Sequence, residues 1–159
     1  MSRELITSWS EYQLAFERIL AMATQKVAIY DANLKLYKLD SPPQQLQIKR
    51  ILLLGGHTSR LRIALRATDE VYRETPRLIN LLNTYGHVFA MQQTAPELSH
   101  LRDAMIIVDD QHALIRFEQN LPRSKLLINE NDEVRPYGAR FDEIWDQGGD
   151  MIHANVLGL

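Results

Sequence analysis

Ala104, Met105, Ile106, Ile107 and Val108 form an unbroken apolar run that stops at Asp109 and Asp110. Such a run, bounded by turn-forming residues, suits a strand buried on both faces. A strand of that kind needs a layer of structure above it and another below, which narrows the architectures open to the chain. Asp110 and Gln111 make a turn, and 112–117 returns as a hairpin partner. A hairpin beside helix-linked strands makes the sheet mixed rather than purely parallel.

The rest of the chain supplies those layers. Ser8 and Glu11 have the spacing of a capping box, and Leu14, Ile19, Leu20 and Met22 keep helical spacing, so a first helix is expected over about 10–25. Val27, Ala28, Ile29 and Tyr30 read as a short buried strand ending at Asp31. Pro42 and Pro43 open a second helix with Leu46, Ile51, Leu52 and Leu54 inside, stopped by Gly55 and Gly56. Residues 60–67 alternate Leu61, Ile63 and Leu65 with Arg60, Arg62 and Arg66, the pattern of a half-exposed strand whose arginines lie on a solvated face. Pro76 starts a third helix with Leu78, Ile79, Leu81 and Leu82 buried, and 87–92 is a further strand. Residues 124–133 read as loop with one short strand. Pro136 sits in the first turn of a last helix that docks through Phe141, Ile144 and Trp145 and ends at Gly148 and Gly149. The expected fold is α/β, with a mixed β-sheet flanked by helices on both faces. A single domain is expected over 1–159, with its core at about 10–148 and a mobile tail over 149–159.

Bulk properties exclude several function classes. The chain has 159 residues, 45% hydrophobic and 24% charged, which suits one ordinary globular domain. Its net charge of -2 argues against a general nucleic-acid binder, which needs a basic excess to neutralise phosphates. With no cysteine there is no disulfide, thiolate nucleophile or Cys-based zinc site. Residues 1–13 lack the apolar run of a secretory signal, and the longest apolar stretches are too short to span a bilayer. A cytoplasmic protein is expected, with no membrane insertion.

Asp109 and Asn120 carry the functional signal. They fit the frame His-x-Lys-x4-Asp-x6-Gly-Ser-x-x-Asn, and the apolar strand and the hairpin fall where that frame needs them. The chain therefore resembles the phospholipase D superfamily, whose motif histidine attacks phosphorus while its lysine and asparagine stabilise phosphate oxygens. From Lys26 onward the order of elements also resembles a bacterial family of degenerate phospholipase-D-like domains, some found beside or fused to acetyltransferases. The resemblance covers roughly 10–148. Within it the histidine position is Arg102 and the lysine position Ala104, while Gly and Ser become Arg116 and Phe117. A guanidinium stays protonated and cannot attack phosphorus. Covalent catalysis needs an activatable nucleophile near a base, and this set supplies none.

Two alternatives stand beside that reading. His100-x-Arg102 could stand for His-x-Lys, but the aspartate position then falls on Ile107 and the asparagine position on Glu118. In that version the chain is a diverged phosphodiesterase or nuclease using His100. In the other it is an interaction module working with an acetyltransferase. His57, His87, His100, His112 and His153 show no zinc-hydrolase spacing, so no metal or cofactor is expected. Gly55-Gly56-His57-Thr58-Ser59 lacks the Gly-Lys-Ser/Thr ending of a nucleotide loop and is better read as a helix stop. The expected function is non-catalytic binding of a small anionic ligand or a protein partner through Arg102, Asp109, Arg116 and Asn120. Arg102 and Arg116 would form either an anion site or an internal salt bridge with Asp109. Because family enzymes with one motif copy pair across a two-fold axis, a homodimer is expected.

Overall fold

The computed structural model describes residues 1–56 and 58–153. In chain order the elements are β1 (Ser2–Ile6), α1 (Trp9–Met22), β2 (Val27–Asp31), α2 (Pro42–Leu52), β3 (Leu61–Leu65), a single turn α3 (Val71–Glu74), α4 (Pro76–Thr84), β4 (Phe89–Thr94), β5 (Ala104–Val108), β6 (His112–Arg116), β7 (Ser124–Ile128), α5 (Asn131–Asp146) and β8 (Gly149–Met151). The eight strands form one mixed sheet in the order β1-β7-β6-β5-β2-β3-β4-β8. Strands β2, β3 and β4 run parallel, joined by helical crossovers. Strand β5 lies antiparallel on the other side of β2, β6 and β7 continue the antiparallel meander, and the N-terminal β1 adds antiparallel to β7 at the edge.

Side-chain alternation along the strands builds two cores. Ile29, Ile63, Ile106, Leu114 and Leu126 face Phe16, Ile19 and Leu20 of α1, Ile48 and Ile51 of α2, and Leu78 of α4. Ala28, Tyr30, Ala64, Met105, Ile107 and Ile115 face Val134, Phe141 and Ile144 of α5. Every residue of β5 is buried, as its apolar run requires. Ser8 caps α1 by accepting the Glu11 N–H at 3.2 Å, while its hydroxyl donates to the Glu11 carboxylate. Among the described residues no helix is long and apolar enough to cross a membrane.

Several local expectations are corrected. Leu14 and Leu46 are exposed, and the buried faces of α1 and α2 instead use Tyr12, Phe16 and Ile48. Strand β3 has no solvated arginine face, because α5 covers it. Arg62 stacks over Phe141 at 4.9 Å and Trp145 at 5.7 Å, Arg66 lies over Tyr30, and Arg60 turns away to the Leu52 carbonyl at the end of α2. Helix α5 begins at Asn131, so Pro136 lies inside it rather than in its first turn. Asp132 and Glu133 there complement the helix dipole. Residues 149–151 of the expected tail pair with β4. Residues 154–159 of that tail, and His57 in the Gly55-to-Ser59 turn, lie outside the described residues.

Candidate functional site

Two motif positions, Ala104 and Arg116, meet at the open end of the β5–β6 hairpin. Arg116 is the last residue of β6 and stands directly opposite Ala104 on β5, so their Cβ atoms are about 5 Å apart on the same face. That face is the one covered by α1. Asp31 ends β2 two strands away and points to the same side. Its carboxylate accepts two bonds from the Arg116 guanidinium, at 2.8 and 2.9 Å. Arg116 also donates to the Tyr12 hydroxyl at 2.8 Å and the Tyr37 hydroxyl at 3.3 Å. Tyr37 donates a short hydrogen bond to Asp31. The rings of Trp9 and Tyr12 lie 5.7 and 5.0 Å from the guanidinium carbon.

This is a buried, neutralised ion pair. The side chains of Arg116 and Asp31 are 1% and 3% exposed. Burial works against the guanidinium charge, but Tyr37, Asp31 and Tyr12 outweigh it and hold the Arg116 pKa above its ordinary value. Burial pushes the Tyr12 phenol up to about 12, against the opposing pull of Arg116. Both tyrosines are therefore neutral hydroxyls that knit the pair into the core.

The other motif positions do not join it. Asp109 sits beyond the far end of β5, at the hairpin turn, roughly 15 Å along the sheet from Arg116. Its φ of 57° is left-handed, and its carboxylate accepts N–H bonds from Thr24, Gln25 and Lys26 at 2.8–2.9 Å and the Thr24 hydroxyl at 2.9 Å. Burial alone would raise the Asp109 pKa, but these bonds hold it below the usual carboxylate value. Asp109 is a clamp on the turn from α1 into β2, and the expected Arg116–Asp109 bridge is replaced by Arg116–Asp31. Arg102 is exposed and pairs with Glu118, its Nε at 2.8 and 2.9 Å from the carboxylate oxygens. Asn120 is exposed, with only its backbone N–H directed at Glu118, at 3.4 Å. His100 is exposed, while Ile107, the aspartate position of its register, is 4% exposed inside the α5-side core.

Behind the same sheet end, on the α5 face, lies a set that the sequence did not single out. Arg66 follows β3 and stacks over Tyr30 with its guanidinium carbon 4.9 Å from the ring centre, and Arg140 of α5 lies 5.9 Å from it. Arg140 also binds the Asp103 carboxylate. Residue spacing put Arg66 on a strand face; only the packing of α5 brings it to Arg140. A cavity of about 410 Å³ at the C-terminal ends of β2 and β3 is lined by Lys35, Lys38, Asp40, Asp69, Glu70 and Glu74 among others. That acidic excess suits a phosphate poorly.

The family model described as a domain of unknown function, DUF7931, matches residues 9–156. The chain belongs to that family. A search of the curated proteins finds no match. Among solved structures, this DUF7931 domain is similar to TrmBL2, an archaeal chromatin protein whose structure is described as showing a novel mode of DNA binding, with a TM-score of 0.70 at 13% identity. The match covers 94% of this chain and 54% of TrmBL2, so the domain spans about half of that protein. It is also similar to Nuc from Salmonella typhimurium, a phospholipase D family member, with a TM-score of 0.60 at 14% identity over 94% of this chain and 97% of that one. NucT from Helicobacter pylori gives 0.58 at 12% identity, covering 94% and 98%. The fold is phospholipase-D-like.

Proposed function

We propose that this DUF7931 domain is a non-catalytic, phospholipase-D-like binding module whose ancestral phosphate position is closed. One observation carries the reading: Arg116, at the motif's glycine position, is buried and held by Asp31. The lysine position, Ala104, is its cross-strand neighbour. The positive charge has moved one strand over, into room left by a short side chain. There it is neutralised within the chain instead of waiting for a substrate phosphate. Arg102 offers no nucleophile, and no hydrogen bond ties His100 to a base among the described residues, so the rival register gains no support.

The test is turnover. Purified protein incubated with bis(p-nitrophenyl) phosphate is expected to release no more nitrophenol than buffer. Hydrolysis that disappears in His100→Ala would overturn the reading.

The same sheet end also favours pairing with a second copy. Trp9, over Arg116, and Phe117 and Leu121, in the connection after it, are 39%, 49% and 56% exposed. Exposed apolar side chains near one sheet end are the kind of surface that a second copy can cover. Light scattering on the eluting peak is expected to give the mass of a dimer, and a clean monomer at micromolar concentration would contradict the pairing.

A further inference from the structure

Strand alternation turns Asp31 toward α1 and its neighbour Tyr30 toward α5, so the two sides of this sheet end differ in chemistry. On the α1 side the Arg116 charge is matched by Asp31, and only the guanidinium Nε lacks a partner among the described residues. On the α5 side two polar features are unmatched. Tyr30 is fully buried and its hydroxyl makes no well-aligned hydrogen bond among the described residues, with the Arg66 guanidinium close beside it. Burial raises its pKa against the pull of Arg66, so it stays protonated and able to donate. Arg66 is half-buried, yet its hydrogen bonds go only to neutral oxygens, the Asp103 carbonyl at 2.8 Å and the Gln119 side-chain oxygen at 2.9 Å.

The carboxylates nearby are already committed. Asp103 is bound by Arg140, and Glu118 by Arg102 on the exposed loop. Arg66 and Arg140 against Asp103 leave one positive charge over. A partly desolvated cation served only by neutral acceptors favours an added anion. An oxyanion accepts without donating, and so can answer two guanidinium edges and a phenol together. The place is also apt, because in open α/β sheets ligands enter beyond the C-terminal ends of parallel strands. Arg66 lies just past the end of β3, and Tyr30 one residue before the end of β2. The side chains over the Tyr30 ring are Arg66 and Arg140, both partly exposed.

We propose that the domain binds a terminal or free phosphate group at Arg66, Arg140 and Tyr30, on the opposite face of the sheet from the closed motif position. Three donors on separate elements fit the several oxygens of a phosphate better than the two of a carboxylate. This site rests on the reading of the domain as a binding module. It lies outside the motif positions, of which Arg102 is spent on Glu118 and Arg116 on Asp31.

Calorimetric titration of the full chain with inorganic phosphate tests it, using wild type, Arg66→Gln and Tyr30→Phe. Saturable binding is expected in the wild type and about tenfold weaker binding in each variant, the loss of one charge-assisted bond. Tyr30→Phe is expected to keep the wild-type Tm without phosphate, since its hydroxyl makes no well-aligned bond to lose. Absence of saturable heat at millimolar phosphate, or equal affinity in all three proteins, would overturn the site. So would a lower Tm for phosphate-free Tyr30→Phe, or binding of an oligonucleotide without terminal phosphates when inorganic phosphate does not bind. Those failures leave the non-catalytic reading standing, because that reading falls only to diester turnover.

Discussion

A buried guanidinium needs a carboxylate and acceptors for its remaining N–H groups, and the two terminal nitrogens of Arg116 find Asp31, Tyr12 and Tyr37, while its Nε has no partner among the described residues. Asp31 is 85 residues away in sequence, so no local spacing could name it as the partner. Asp109 was more legible. An aspartate at a strand end commonly forms a turn, and here it fastens three backbone N–H groups. His112 follows the same logic at the other side of that turn. It is buried, and its Nδ1 accepts the Asn129 N–H at 3.0 Å. Burial lowers its pKa below the ordinary 6.5. The unfolded chain therefore binds a proton at His112 more readily than the folded one. Stability from this group is complete above the unfolded value and is lost as pH falls below about 6.5 toward the lower folded pKa. Asp109, also lowered, adds a further loss only once the pH falls through the carboxylate range. Tm measured against pH is expected to fall from neutrality toward about pH 5, and His112→Gln to flatten that first step. A wild-type Tm that is level or rises on acidification would contradict the assignment.

At the scale of elements, what was readable followed from local physics. Ser8 marks the start of α1 because its hydroxyl serves an N–H that the helix cannot, and Pro42 and Pro76 open α2 and α4 where no such N–H is needed. The misses are elements held by backbone pairing rather than by side-chain pattern. Strand β1 buries only Ile6, and β8 buries nothing, so neither shows an alternation. By sequence Gly149 reads as a helix stop, a task that belongs to Gly148 with its φ of 80°. Gly149 instead allows β8 to close on β4, since a Cβ there would lie 1.8 Å from the Gln93 carbonyl oxygen. Gly149→Ala is expected to force the strands apart and cost about 1–3 kcal/mol, as overpacking does. Gly55→Ala, with nothing within 4 Å of its Cβ, is expected to change little. Thermal unfolding of the two variants side by side checks this, and equal Tm values would show that the β4–β8 contact is not held as described.

Across the whole molecule, the layered architecture was legible because β5 has to be covered twice, and the hairpin forced a mixed sheet. The candidate site was legible only in part. Arg116 could be picked out by its place in the motif frame, but whether it met a ligand or a carboxylate depended on how β2 and the Lys35–Tyr37 turn pack against α1. Arg66 and Arg140 become neighbours only once α5 lies across the sheet. The closure proposed for the motif position therefore rests on tertiary pairing, and that pairing can be measured as a coupling energy. A double-mutant cycle in urea with Asp31→Leu, Arg116→Met and the double variant is the direct measurement. Each single substitution leaves a buried charge alone and is expected to cost about 3–5 kcal/mol, with the double variant recovering much of that loss. Single losses below about 1 kcal/mol that simply add would mean that Arg116 is not locked to Asp31 and that the position is open.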